Sequence, residues 1–66
     1  MKRCNLVMET TEAGTRVTLF DPDALDGFKI LCIIMDEDAT KCLENAVDYA
    51  TQMKFKIVSI NGKNVG

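Results

Sequence analysis

The sequence predicts an α+β domain: a four-stranded mixed sheet, in the order ββ(turn)βαβ, with one helix packed on one of its faces. Three observations carry that expectation. Four runs, residues 4–9, 15–20, 28–35 and 54–60, alternate in polarity or are rich in β-branched and aromatic residues, as strands are. One stretch only, residues 39–53, repeats its apolar positions at helical spacing. That helix stands between the third and fourth strands, a connection that makes them parallel through a right-handed crossover.

In the first run Cys4, Leu6 and Met8 alternate with Asn5, Val7 and Glu9. Residues 10–14 read as a polar turn closed by Gly14, and Val17 and Leu19 alternate with Arg16, Thr18 and Phe20 beyond it. The two runs form an antiparallel hairpin with a loop of about five residues. In residues 21–27, Asp21 fits a helix N-cap, Pro22 a first helical position and Gly27 a stop. One helical turn is expected there. Its carboxylates do not have the spacing of a calcium loop, and Pro22 stands where an early ligand would be needed.

Residues 28–35 are apolar on both faces. Phe28, Ile30, Cys32 and Ile34 share one side; Leu31, Ile33 and Met35 share the other. Asp36, Glu37 and Asp38 then open the helix, where carboxylates stabilise the exposed N–H groups and the positive end of the dipole. The inward stripe is Ala39, Cys42, Leu43, Ala46, Val47, Ala50 and Met53. In the last run Phe55, Ile57 and Ser59 oppose Lys56, Val58 and Ile60; Asn61 and Gly62 mark a turn, and residues 62–66 read as a loose tail. Strand four lies either beside strand three or beside strand one.

The chain of 66 residues reads as one domain with one small core. A core of this size supplies only about 3–5 kcal/mol without a staple. There is no His, and Cys4, Cys32 and Cys42 form no C-x-x-C pair. The cysteines read as reduced, core-filling thiols in a cytoplasmic protein, leaving oligomerisation or partner binding as the staple. The expectation is no metal and no cofactor. Residues 1–5 lack the apolar region of a signal peptide, and the apolar run is too short to span a membrane. A formal charge of −2 disfavours binding to phosphate backbones.

No residue pattern names a reaction. A nucleophile with a His base is impossible, no Gly-rich phosphate loop is present, and the carboxylates bunch at an element start rather than around a cleft. The expectation is a non-enzymatic protein. With strands one, three and four running the same way, Glu9, Glu12, Asp36, Glu37 and Asp38 gather at one end of the sheet. Lys2, Arg3, Lys54 and Lys56 gather at the other, near Asp21, Asp23 and Asp26. The acidic end could orient a basic partner; the plainer reading is helix capping and solubility.

One helix covers one face of a sheet. Val7, Phe20, Leu31 and Ile33 are therefore expected on a face that nothing in the chain covers, which makes them candidate partner-binding residues together with the acidic end. In outline, a few strands with one helix and an acidic surface, the chain is similar to small phage-encoded proteins that block a host enzyme. The leading expectation is a protein-binding module, an inhibitor or adaptor. The alternatives are a homodimer subunit with no foreign partner, and a single-stranded nucleic-acid binder, which the sparse aromatics disfavour.

Overall fold

A computed structural model describes residues 1–26 and 29–65. In chain order the elements are β1 (Lys2–Thr11), β2 (Gly14–Asp21), β3 (Lys29–Asp36), α1 (Ala39–Gln52), β4 (Phe55–Ile60) and β5 (Lys63–Asn64). They build one sheet in the order β3-β2-β1-β4-β5. β1 pairs antiparallel with β2, β2 antiparallel with β3, and β1 parallel with β4. Strands β1, β3 and β4 therefore run the same way, and the last long strand lies beside the first.

The α+β class, the single helix and the mixed sheet are as the sequence predicts; the strand count and element order are not. The expected loose tail contains a fifth strand. Asn61 and Gly62, at φ 51° and 84°, form a two-residue turn that returns the chain on itself, and Ser59 and Ile60 pair with Asn64 and Lys63. Paired positive φ angles are what a tight hairpin turn requires, and Asn and Gly tolerate them best. Asn61 has a second task. Its N–H donates to the Leu6 carbonyl at 2.8 Å, and its side-chain Oδ1 accepts the Met8 N–H, also at 2.8 Å. The side chain thus prolongs the β1–β4 ladder where the backbone has turned away. Asn61→Ala should lower unfolding stability by about 1–2 kcal/mol, one hydrogen bond plus the left-handed backbone preference. Asn61→Asp, which retains both properties, should remain close to wild type in urea unfolding.

The expected helical turn at residues 21–27 is also corrected. Asp21 ends β2, and residues 22–26 are turns and a bend. The reason is local: the Asp21 carboxylate accepts the Asp23 N–H at 2.9 Å, closing an aspartate turn instead of capping a helix. The stop assigned to Gly27 and the place of Phe28 in the third strand lie outside the described residues. The β1–β2 loop is shorter than expected, only Glu12 and Ala13, with Thr11 paired to Gly14.

The core lies between α1 and the sheet: Cys4, Leu6, Val17, Leu19, Cys42, Ala46 and Ala50. The helix begins at its N-cap Asp38, whose Oδ1 accepts the N–H groups of Thr40 and Lys41 at 2.8 and 3.2 Å. Its buried stripe is narrower than the sequence suggests. Cys42, Ala46 and Ala50 are buried and Leu43 and Tyr49 half-buried, whereas Ala39, Val47 and Met53 are exposed. Small residues on the contact line let the helix lie close to the sheet. The Cys42 thiol reaches the Ile34 and Thr15 carbonyls at 3.3 and 3.5 Å. Tyr49 and Phe55 close one end edge to face, with centroids 6.3 Å apart.

Two register shifts decide which residues face the helix. On β3, Leu19 pairs with Cys32 and Phe20 with Ile30, so Leu31 is an extra residue. On β4, Cys4 pairs with Ile57 and Asn5 with Ser59, so Val58 is extra. An extra residue breaks strict alternation. Leu31 joins Cys32 and Ile34, and Ile60 joins Ile57, against the core as a result. Ser59, expected to share a face with Ile57, instead donates from its hydroxyl to Asn5 Oδ1 at 2.8 Å on the opposite face.

Candidate functional site: the helix-free sheet face

The face opposite α1 is laid out by the strand pairing. Asn5, Phe20 and Ile30 form one cross-strand row; Val7, Thr18 and Ile33 the next; Glu9, Arg16 and Met35 the third. Its apolar members crowd toward β3. Ile30, Ile33 and Met35 are 53%, 52% and 58% exposed, and Val7 and Phe20 are half-buried beside them. Toward β1 and β4 the face turns polar, with the Arg16–Glu9 ion pair at 2.9 Å and the Ser59–Asn5 hydrogen bond.

Of the residues the sequence nominates for this face, Val7, Phe20 and Ile33 are there. Leu31 is not: the extra residue in β3 turns it toward the core, where it packs. The same shift releases Ile30, read from alternation as a helix-side residue, onto the open face. Met35 was legible as an open-face residue from alternation alone. Only the length of the strand relative to its partner reveals Ile30, and one sequence does not show that.

Glu9, Glu12, Asp36, Glu37 and Asp38 do lie at one end of the sheet, where Thr10, Thr15 and Asp36 share a row. Their carboxylates have local duties. Glu9 pairs with Arg16, Asp36 Oδ1 accepts the Asp38 N–H at 2.8 Å, and Asp38 caps the helix. Gly14 binds this end together. At φ +130° it approaches so closely that a Cβ would stand 2.6 Å from the Asp36 carbonyl oxygen and 2.7 Å from the Glu37 Cα.

The opposite end carries the mixed charges the sequence predicts. Lys2 Nζ lies 3.1 Å from Asp21, itself only 7% exposed. Arg3 forks onto Asp23, with Nε 3.3 Å from Oδ2 and Nη2 bonded to Oδ1. The Asp23 N–H, with help from Lys2 and Lys29, holds the Asp21 carboxyl below the usual carboxylate range against a smaller effect of desolvation. Arg3 does the same for Asp23 and is itself raised by it. A carboxyl whose pKa is lower folded than unfolded stabilises the fold above its unfolded pKa, about 4, and loses that contribution as pH falls through the folded value. Urea midpoints should therefore drop on acidification below about pH 4, and an Asp21→Asn/Asp23→Asn chain should drop less.

Among the described residues no group of three His, Cys, Asp or Glu side chains is placed to hold a metal ion. The three thiols are free: Cys4 and Cys42 are buried and Cys32 half-buried, and burial pushes the Cys4 thiol up, away from the reactive thiolate. A shallow groove beside the outer surface of α1 is lined by Leu43, Glu44, Val47 and Asp48, with no nucleophile or base pair in it. No helix among the described residues is long and apolar enough to cross a membrane. Comparison with protein-family models, with curated proteins and with solved structures found no match.

Proposed function

We propose that this chain is a small non-enzymatic protein-binding module, an inhibitor or adaptor, that engages its target through the helix-free sheet face. One observation carries the reading: an apolar stripe of Ile30, Ile33 and Met35, backed by Phe20 and Val7, on a face with no covering element among the described residues. Contiguous exposed apolar surface on a small domain marks an interaction site more often than not.

The target surface complementary to this face is apolar at its centre, because the face's own charges, Arg16 and Glu9, already neutralise each other. The acidic end, chiefly Glu12 and Glu37, supplies orientation toward a basic rim. The half-buried or buried thiols support residence in a reducing, cytoplasmic compartment.

The test is affinity capture from the source cells followed by titration with the purified captured protein. Wild type and Glu44→Lys, altered on the outer surface of α1, should bind alike. Ile33→Lys should lose binding by about a hundredfold, as a central apolar contact does, while its circular dichroism stays native. Unfolding of Ile33→Lys would make Ile33 a core residue and sink the reading.

A further inference from the structure

We infer that β3 is a self-pairing edge: two copies of this chain join antiparallel along β3, fusing two five-stranded sheets into one. The inference does not rest on the open face binding a foreign protein. It starts from a difference between the two edges of the sheet. β5 is two residues long, polar and exposed, which is how soluble proteins blunt an edge against pairing. β3 is eight residues long, with no Pro and no charge between Lys29 and Asp36. No strand pairs with its outer side among the described residues, so a row of its backbone groups faces outward.

Charge selects the second copy as the occupant. β3 begins with Lys29 and runs out into Asp36 and Glu37. With Leu31 as an extra residue, antiparallel pairing centred on Ile33 sets Ile30 of each copy beside Met35 of the other, both on the open face, and Lys29 beside Asp36, with Glu37 adjoining. Both ends of the seam are then matched in sign. A parallel arrangement would set like against like, which is destabilising for directly opposed strand residues.

The symmetry is self-consistent. A two-fold axis perpendicular to the sheet reverses strand direction and leaves the faces in place, as an isologous dimer requires. Both helices stay on one side. On the other side the two stripes of Ile30, Ile33 and Met35 meet, with Ile33 against Ile33 at the axis. The exposed apolar surface of one chain lies along the strand that forms the seam, so pairing covers part of it and joins the remainder into one patch.

Sedimentation equilibrium of the full chain in the micromolar range tests this. Wild type should be a reversible dimer that weakens with salt. Lys29→Glu and Glu37→Lys should each weaken it by about tenfold, and the double exchange Lys29→Glu/Glu37→Lys should restore it. Unfolding midpoints distinguish dissociation from loss of fold, since Lys29 also lies near Asp21. Ile33→Cys offers a reading independent of charge: residues opposed across a strand pair are within disulfide reach, so mild oxidation should link two copies through position 33, whereas Glu44→Cys on α1 should not link. A monomer throughout the range, or a dimer indifferent to both charge reversals and unlinked through position 33, overturns the inference. A dimer lost with Ile33→Lys alone would instead show face-to-face packing and overturn it equally.

Discussion

Gly14→Ala should lower the unfolding free energy by about 2–4 kcal/mol, most of what a domain of this size has. Two independent effects add. The φ of +130° is one that residues with a Cβ rarely adopt, and the new methyl group would meet the Asp36 carbonyl oxygen at 2.6 Å and the Glu37 Cα at 2.7 Å. Both neighbours are backbone, so neither can rotate aside. Relief requires moving the β1–β2 turn away from the junction of β3 and α1, which disturbs the Asp36 and Asp38 bonds that start the helix. Gly62 is the internal control. It is also in the positive-φ region, at +84°, but a Cβ there meets nothing within 4 Å. Gly62→Ala should cost about 1 kcal/mol, from backbone preference alone. Urea unfolding of the two variants, followed by circular dichroism, separates steric contact from conformational preference. Equal losses would mean that the close approach at Gly14 is unimportant.

The second large effect is a contrast between neighbours on β3. Leu31→Asn should cost about 2–3 kcal/mol, because Leu31 packs against the core. Ile33→Asn should cost about 1 kcal/mol or less, the loss of one half-exposed strand side chain and its β preference. Strict alternation would give both residues the same environment and the same loss. The difference in urea midpoint therefore reports the extra residue in β3 directly. Similar losses at both positions would restore the uninterrupted strand.

That contrast also marks how far the sequence can be read. The period of two identified four strands, the period of helical spacing identified α1, and the acidic run Asp36, Glu37 and Asp38 located its start, though not which of the three caps it. The common direction of β1, β3 and β4 followed from chain order, and it correctly gathered Glu9, Glu12, Asp36, Glu37 and Asp38 at one end. Face assignment held for Val7, Phe20, Ile33 and Met35, all beyond the irregularity or on strands without one. It failed at Leu31 and Ile30 on β3, and at Ser59 and Ile60 on β4, because one extra residue puts the stretches on its two sides out of phase with each other. Such a residue is invisible in polarity alone, since Ile30, Leu31 and Cys32 are all apolar. The turn at Asn61 and Gly62 was legible; the strand after it was not, being two polar residues held by a hairpin turn rather than by burial. At Asp21 two roles competed for one side chain, and the aspartate turn prevailed over the helix cap.

The reading as a whole turns on whether the helix-free face is the surface that meets a partner. Amide chemical-shift mapping of the isotope-labelled chain, titrated with the purified captured protein, asks this residue by residue. The account predicts that the perturbed amides cluster at Val7, Thr18, Phe20, Ile30, Ile33 and Met35, with Lys41, Glu44 and Asp48 on the outer surface of α1 unmoved. Perturbations confined to that helical surface, with the β3 and β2 amides unchanged, would contradict it.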